Sequence, residues 1–209
     1  MENFGLLSLL RDDPLAFVLL AGGLVVAISM HEYAHALAAD LQGDRLPRAM
    51  GRLTLNPMRH LDPLGTLCLV LVGFGWGKPV EFRPGALSSK RFGAAIVALA
   101  GPFMNLALAL LAAFAFVGFG RPGDSLGVFI AQFFAINVFL AVFNLLPLPP
   151  LDGSRLLTIF LPPAKQKIIF WLDQYGFLIL LVLVFFGGLS VLTPLVDWVG
   201  EVLLGIAGA

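Results

Sequence analysis

The chain has 209 residues, 59% hydrophobic and 12% charged, with 13 basic and 13 acidic side chains and a mean hydropathy of +0.94. A water-soluble domain of this length carries about 25% charge, so the composition excludes an ordinary soluble fold, and a net charge near zero points to no particular partner. Cys68 is the single cysteine, which excludes an intrachain disulfide and reads as a small buried apolar residue.

Four stretches reach the roughly 20 apolar residues that cross hydrocarbon: about 14–39, 92–119, 126–146 and 175–196. Glu2, Asp12 and Asp13 precede the first of them and no small-residue cleavage pattern follows it, so that span is expected to be retained. Residues 64–77 are apolar but too few to cross. With Gly73, Gly75 and Gly77 followed by Pro79, the stretch 64–80 predicts a short re-entrant or β-hairpin element. That arrangement places Arg45, Arg48, Arg52, Arg59, Lys78, Arg83, Lys90, Arg91, Arg155, Lys165 and Lys167 on one side and leaves Arg11 and Arg121 opposite. The asymmetry is that of a cytoplasmic face, with both termini outside. The expected fold is therefore a single all-α polytopic membrane domain over 1–209, lodged in the lipid bilayer. Its basic loops read as topology determinants and not as nucleic-acid sites. Alanine and glycine along 94–115 predict close helix packing, and Pro102 predicts a kink. Residues 197–209 are weakly amphipathic and suggest no role.

The chemistry concentrates in His31-Glu32-Tyr33-Ala34-His35, inside the first apolar stretch. Burying one carboxylate at membrane depth costs at least ~2.5 kcal/mol, so three ionisable groups in one turn demand a purpose. His31 and His35 lie one helical turn apart on one face, the spacing with which two imidazoles share a Zn²⁺ ion. Glu32 is then a candidate general base beside the metal. From Pro14 to His31 the axial rise is roughly 25 Å, which sets the site in the cytoplasmic third of the bilayer.

A catalytic zinc needs a third protein ligand and an open position. Pro147, Pro149 and Pro150 force an extended break after the third span, and Asp152 ends that break on the side of the two histidines. Its carboxylate would complete the set; alone, it would read as a cap for a helix starting near Ser154. Asn144 could donate a hydrogen bond to an oxygen that becomes negative during attack. Asn105 reads instead as a helix-to-helix contact. His60, between Arg59 and Asp62, reads as a solvated loop residue.

With these motifs the chain resembles the site-2 protease family of intramembrane zinc metalloproteases. The resemblance rests on the His31–His35 motif, Gly51-Arg52-Leu53-Thr54-Leu55-Asn56-Pro57, Gly101-Pro102-Phe103-Met104-Asn105 and Asn144-Leu145-Leu146-Pro147-Leu148-Pro149-Pro150-Leu151-Asp152-Gly153. It implies His31, His35 and Asp152 as ligands of one Zn²⁺ and Glu32 as the catalytic carboxylate. It also implies Asn144 as a substrate or oxyanion contact, and 73–80 as a loop offering a strand edge to substrate. The implied reaction is peptide hydrolysis within or near a substrate's transmembrane helix, by a compact member lacking a PDZ insertion and a C-terminal nucleotide-binding module. The alternative is a membrane zinc transporter or an inactive relative that binds client helices. Transport needs ligands but no base at Glu32, and no second motif or internal repeat is visible.

Overall fold

The computed structural model describes residues 10–72, 75–120, 123–160 and 166–209. Gly73, Arg121 and Lys165, which entered the expected topology, lie outside the described residues. Helix α1 (Pro14–Leu41) starts where Asp13 accepts from the Ala16 N–H at 3.0 Å and Pro14 occupies the first turn, where its missing N–H costs nothing. Helix α2 (Pro63–Val72) is short. Helix α3 (Lys90–Gly118) carries Pro102 within it. Helix α4 (Ser125–Asn144) is capped by Asp124, which accepts from Leu126 and Gly127. Helices α5 (Gly153–Phe160), α6 (Gln166–Phe185) and α7 (Thr193–Ala207) follow.

Helix α3 packs against both α1 and α4, and these two touch each other. The buried surfaces are built from small side chains: Ala27, Ala36 and Ala39 on α1, Ala98, Ala109 and Ala113 on α3, and Ala141 on α4. Lipid supplies no hydrophobic drive between helices, so close backbone approach through small residues is what holds them. Leu15, Val18, Phe103, Leu111, Phe139 and Ile206 point outward, as a lipid-facing surface requires.

Among the described residues, four helices are long and apolar enough to cross a membrane: Pro14–Leu41, Phe92–Gly118, Ser125–Asn144 and Gly188–Ala207. The first three match the expected stretches. The expected span at 175–196 is instead divided. Helix α6 ends at Phe185, Gly187 takes a left-handed φ of 74°, and a 3₁₀ turn, Gly188–Leu192, leads into α7 with a proline in its first turn. Hydropathy runs unbroken across Phe185, Phe186, Leu189 and Leu192, so the division is written in the glycine that can adopt that φ and in Pro194 at the start of α7. Residues 197–207 are the body of α7, which packs on α3 and α4.

The element expected at 64–80 combines α2 with an extended run. Leu61 and Gly77 form an antiparallel bridge, with the Lys78 N–H donating to the His60 carbonyl at 2.7 Å. The backbones of Gly65 and Gly75 approach so closely that a Cβ on either would collide with main chain of the other's stretch. Trp76 meets Phe177 of α6 edge to face, with ring centroids 5.8 Å apart.

Candidate metal centre

His31 and His35 project from successive turns of α1 onto one face of α3. That face presents Val97, Gly101 and Asn105 at four-residue intervals, and each meets the imidazole pair. His35 Nδ1 donates to the Val97 carbonyl at 2.7 Å, and His31 Nδ1 donates to Asn105 Oδ1 at 2.5 Å. The proton assignment on His35 follows from its partner, since a carbonyl can only accept. For His31 it follows from the amide, whose Nδ2 is already turned to the Ala27 carbonyl at 3.3 Å and Asn137 Oδ1 at 2.9 Å. Asn137 Nδ2 in turn donates to the Phe133 carbonyl at 2.8 Å. A fully buried chain of amides thus runs from α4 through α3 to His31.

As neutral imidazoles protonated on Nδ1, both rings turn an Nε2 lone pair toward the same point. The two Nε2 atoms are 3.0 Å apart, and Asp152 Oδ2 lies 3.0 Å from His31 Nε2 and 3.3 Å from His35 Nε2. Three acceptors packed this tightly repel one another unless a metal ion or a shared proton lies among them. These are the three atoms that could hold a metal ion. Two imidazole nitrogens and a carboxylate oxygen, each imidazole fixed through its other nitrogen, suit zinc. Gly101 completes the fit: a Cβ there would press on both Nε2 atoms, so the missing side chain leaves a cradle where the lone pairs point. Asp152 arrives from the break between α4 and α5, where Leu145–Asp152 forms turns and bends without helix.

A cavity of about 530 Å³ opens on this cluster, lined among others by Glu32, Trp76, Gly77, Asn144, Arg155 and Phe177. Glu32 is not one of the three converging groups. Its Oε2 accepts from the Val80 N–H at 3.2 Å, which ties it to the extended run. Asn144 reaches the cavity wall while its Nδ2 donates to the Leu140 carbonyl at 2.9 Å, using one of two amide hydrogens. The extended run is anchored beyond Val80 at Asp44, a wholly buried carboxylate paired with the Arg83 guanidinium at 2.7 Å. Burial alone would raise the Asp44 carboxyl, but the backbone and side-chain N–H groups of Arg83 and the Leu46 N–H hold it below the usual carboxylate range.

His31, His35 and Asp152 come together as the spacing argument expected, and Glu32 and Asn144 share their cavity. One expectation changes. His60 is wholly buried, its Nε2 donating to the Thr54 carbonyl at 2.7 Å, because the loop folds back against the 75–80 run. Asn105 joins helices as expected, and its helix partner on one side is an imidazole of the site. The Val97–Gly101–Asn105 spacing carried that signal, since a glycine flanked one turn away by a buried amide is a face on which another group can rest. Replacing Asn105 by Ala should weaken metal binding roughly 10–100-fold in a fold that persists, as loss of an imidazole's outer partner does elsewhere. A competitive chelator titration of the purified variant reads this directly.

The family model for peptidase family M50 matches residues 19–126 and 122–185. A Bacillus subtilis protein named "Putative zinc metalloprotease YwhC" is 41% identical over 168 residues, 77% of this chain and 77% of its own length. The Mycolicibacterium smegmatis protein "Putative zinc metalloprotease Rip2" is 34% identical over 176 residues, 80% of this chain and 66% of its own. A third relative, "Putative zinc metalloprotease MJ0611" of Methanocaldococcus jannaschii, is 50% identical over 62 residues, 29% of this chain and 31% of its own. No solved structure matches the chain significantly.

Proposed function

The chain belongs to peptidase family M50, and from that premise we propose that it is a zinc metalloprotease that hydrolyses peptide bonds in or near transmembrane helices of membrane proteins, as in regulated intramembrane proteolysis. The observation that carries the reading is the convergence of His31 Nε2, His35 Nε2 and Asp152 Oδ2 beside a carboxylate that is not among them. His31, His35 and Asp152 would hold one Zn²⁺. When bound, the ion supplies Lewis acidity, bringing the pKa of water from about 15.7 toward 7 and polarising a carbonyl.

Glu32 takes the proton from the attacking water and delivers it to the leaving amine. The Val80 N–H, bonded to one carboxylate oxygen, fixes the carboxylate's orientation for this transfer. Asn144 supplies its second amide hydrogen to the carbonyl oxygen as negative charge develops there. Asn105 and the Val97 carbonyl keep both imidazoles in the tautomer that leaves Nε2 bare.

An intact helix hides its carbonyls in hydrogen bonds, so the substrate must unwind before attack. Pairing of the unwound segment with the extended run at 75–80 would hold it open. The basic side of the chain faces the cytoplasm of a cell membrane by the positive-inside rule, and the site opens toward that side. The decisive experiment measures metal content and cleavage on the pure full-length chain in detergent, with a panel of single-span peptides. One zinc per chain and cleavage abolished by a chelator and restored by Zn²⁺ are expected. A chain that carries zinc and cleaves none of the panel would overturn the assignment.

A further inference from the structure

Arg52 is 4% exposed, and no ion pair among the described residues involves it. Arg45, Arg48 and Arg83 nearby all face carboxylates. Arg52 donates instead to three backbone carbonyls: that of Arg59, that of Lys78 at 3.2 Å and that of Pro79 at 3.1 Å. Burying a guanidinium without a counter-ion is costly, and the planar fork is repaid only by several well-placed acceptors.

Those acceptors belong to the two segments that meet at the Leu61–Gly77 bridge. On the 75–83 run, the N–H groups of Lys78, Val80 and Arg83 go to the His60 carbonyl, Glu32 and Asp44. Pro79 has no N–H. Arg52 takes the carbonyls of Lys78 and Pro79, so protein groups hold the N–H groups of Lys78 and Val80 and the carbonyls of Lys78 and Pro79. Gly77 differs. The Lys78-to-His60 bond makes Leu61–Gly77 a non-hydrogen-bonded pair, in which the N–H and C=O of Gly77 turn away from the 60–62 segment. Gly77 and Gly75 both line the cavity.

We propose that Arg52 is a positioning residue for substrate: bonded to the carbonyls of Arg59, Lys78 and Pro79, it holds the 75–80 run extended and leaves the edge at 75–77 as the place where the unwound substrate pairs. The inference rests on the metalloprotease reading for the identity of what pairs there. It adds a register, because Pro79 and the occupied Val80 N–H confine that pairing to the residues before Pro79. It also links substrate pairing to the base, since the same run delivers the Val80 N–H to Glu32.

The test compares the full-length chain with Arg52→Gln and Arg52→Lys by amide hydrogen exchange, zinc content and steady-state cleavage of a single-span peptide. In Arg52→Gln the amides of Lys78 and Val80 should exchange at least tenfold faster while those of α3 keep their rates. Zinc should stay at one per chain, and KM should rise roughly tenfold, what loss of one to two net hydrogen bonds produces. Arg52→Lys, whose three N–H groups radiate from one nitrogen instead of a planar fork, should fall between. Unchanged exchange at Lys78 and Val80 would overturn the proposal, and so would faster exchange with an unchanged KM. If Arg52→Gln does not fold, Arg52→Lys decides by the same two readouts, wild-type values overturning and intermediate values supporting. Failure of the protease reading would show separately, as a wild-type chain that holds zinc without cleaving, while the exchange rates still judge the clamp.

Discussion

Replacing Glu32 by Gln is expected to leave one zinc per chain and to lower peptide cleavage by roughly 10²–10⁴-fold, the range a positioned general base contributes. The two side chains have the same shape. The glutamine oxygen can keep the Val80 N–H that Glu32 Oε2 accepts at 3.2 Å, so the extended run should stay in place. The three converging groups that could hold a metal ion do not include Glu32, so metal binding should be untouched. What the variant loses is the capacity to take a proton from water. Zinc analysis together with single-turnover cleavage of a single-span peptide separates the two effects. The same variant divides the rival functions. A transporter would move zinc across liposomes at the wild-type rate without Glu32, whereas a protease would lose turnover and show no flux in either form. Cleavage by Glu32→Gln at the wild-type rate would remove the base from the mechanism.

The membrane class, three of the four helices long enough to cross and the shared face of His31 and His35 were legible in the sequence, because each rests on a period or a length. A bilayer demands about 20 apolar residues, and a helix turns His31 and His35 to one side. Asp152 was legible for another reason: three prolines in four residues leave a helix no way to continue, and the next acid stands at the site's depth. What escaped was decided by contacts between distant segments. The 175–196 stretch is apolar enough to read as one span, and it is the left-handed Gly187 and the turn before Pro194 that separate α6 from α7. His60 looked solvated because its neighbours are charged, yet the 75–80 run closes over it. Arg52 was counted with the cytoplasmic cations. Its use is backbone capping, set by carbonyls 26 and 27 residues away, and composition carries no trace of that. Asn137 lies in a run of phenylalanines and aliphatics, and its part in orienting His31 needs two further amide contacts to be seen.

Replacing Gly101 by Ala is expected to abolish zinc binding, and with it cleavage, and to destabilise the metal-free bundle by about 1–3 kcal/mol, the usual cost of overpacking. Glycine in a helix interior costs about 0.5–1 kcal/mol relative to alanine, so on propensity alone the substitution strengthens α3. At the site the sign reverses. The added methyl would press on His35 Nε2 and His31 Nε2, the two nitrogens whose lone pairs converge with Asp152. The rings cannot withdraw without giving up the Val97 carbonyl and Asn105, each held by the opposite edge of the same imidazole. The methyl therefore either occupies the place a cation would take or breaks the tautomer lock. A control lies on the same helix: a Cβ at Gly118 would meet nothing within 4 Å, so Gly118→Ala should keep full zinc and full activity. Metal stoichiometry and the metal-free thermal midpoint of the two variants separate damage at the site from damage to the fold. Full zinc occupancy in Gly101→Ala would mean that the ion, if held by His31, His35 and Asp152, does not lie against α3, and the tautomer argument built on that helix face would fall with it.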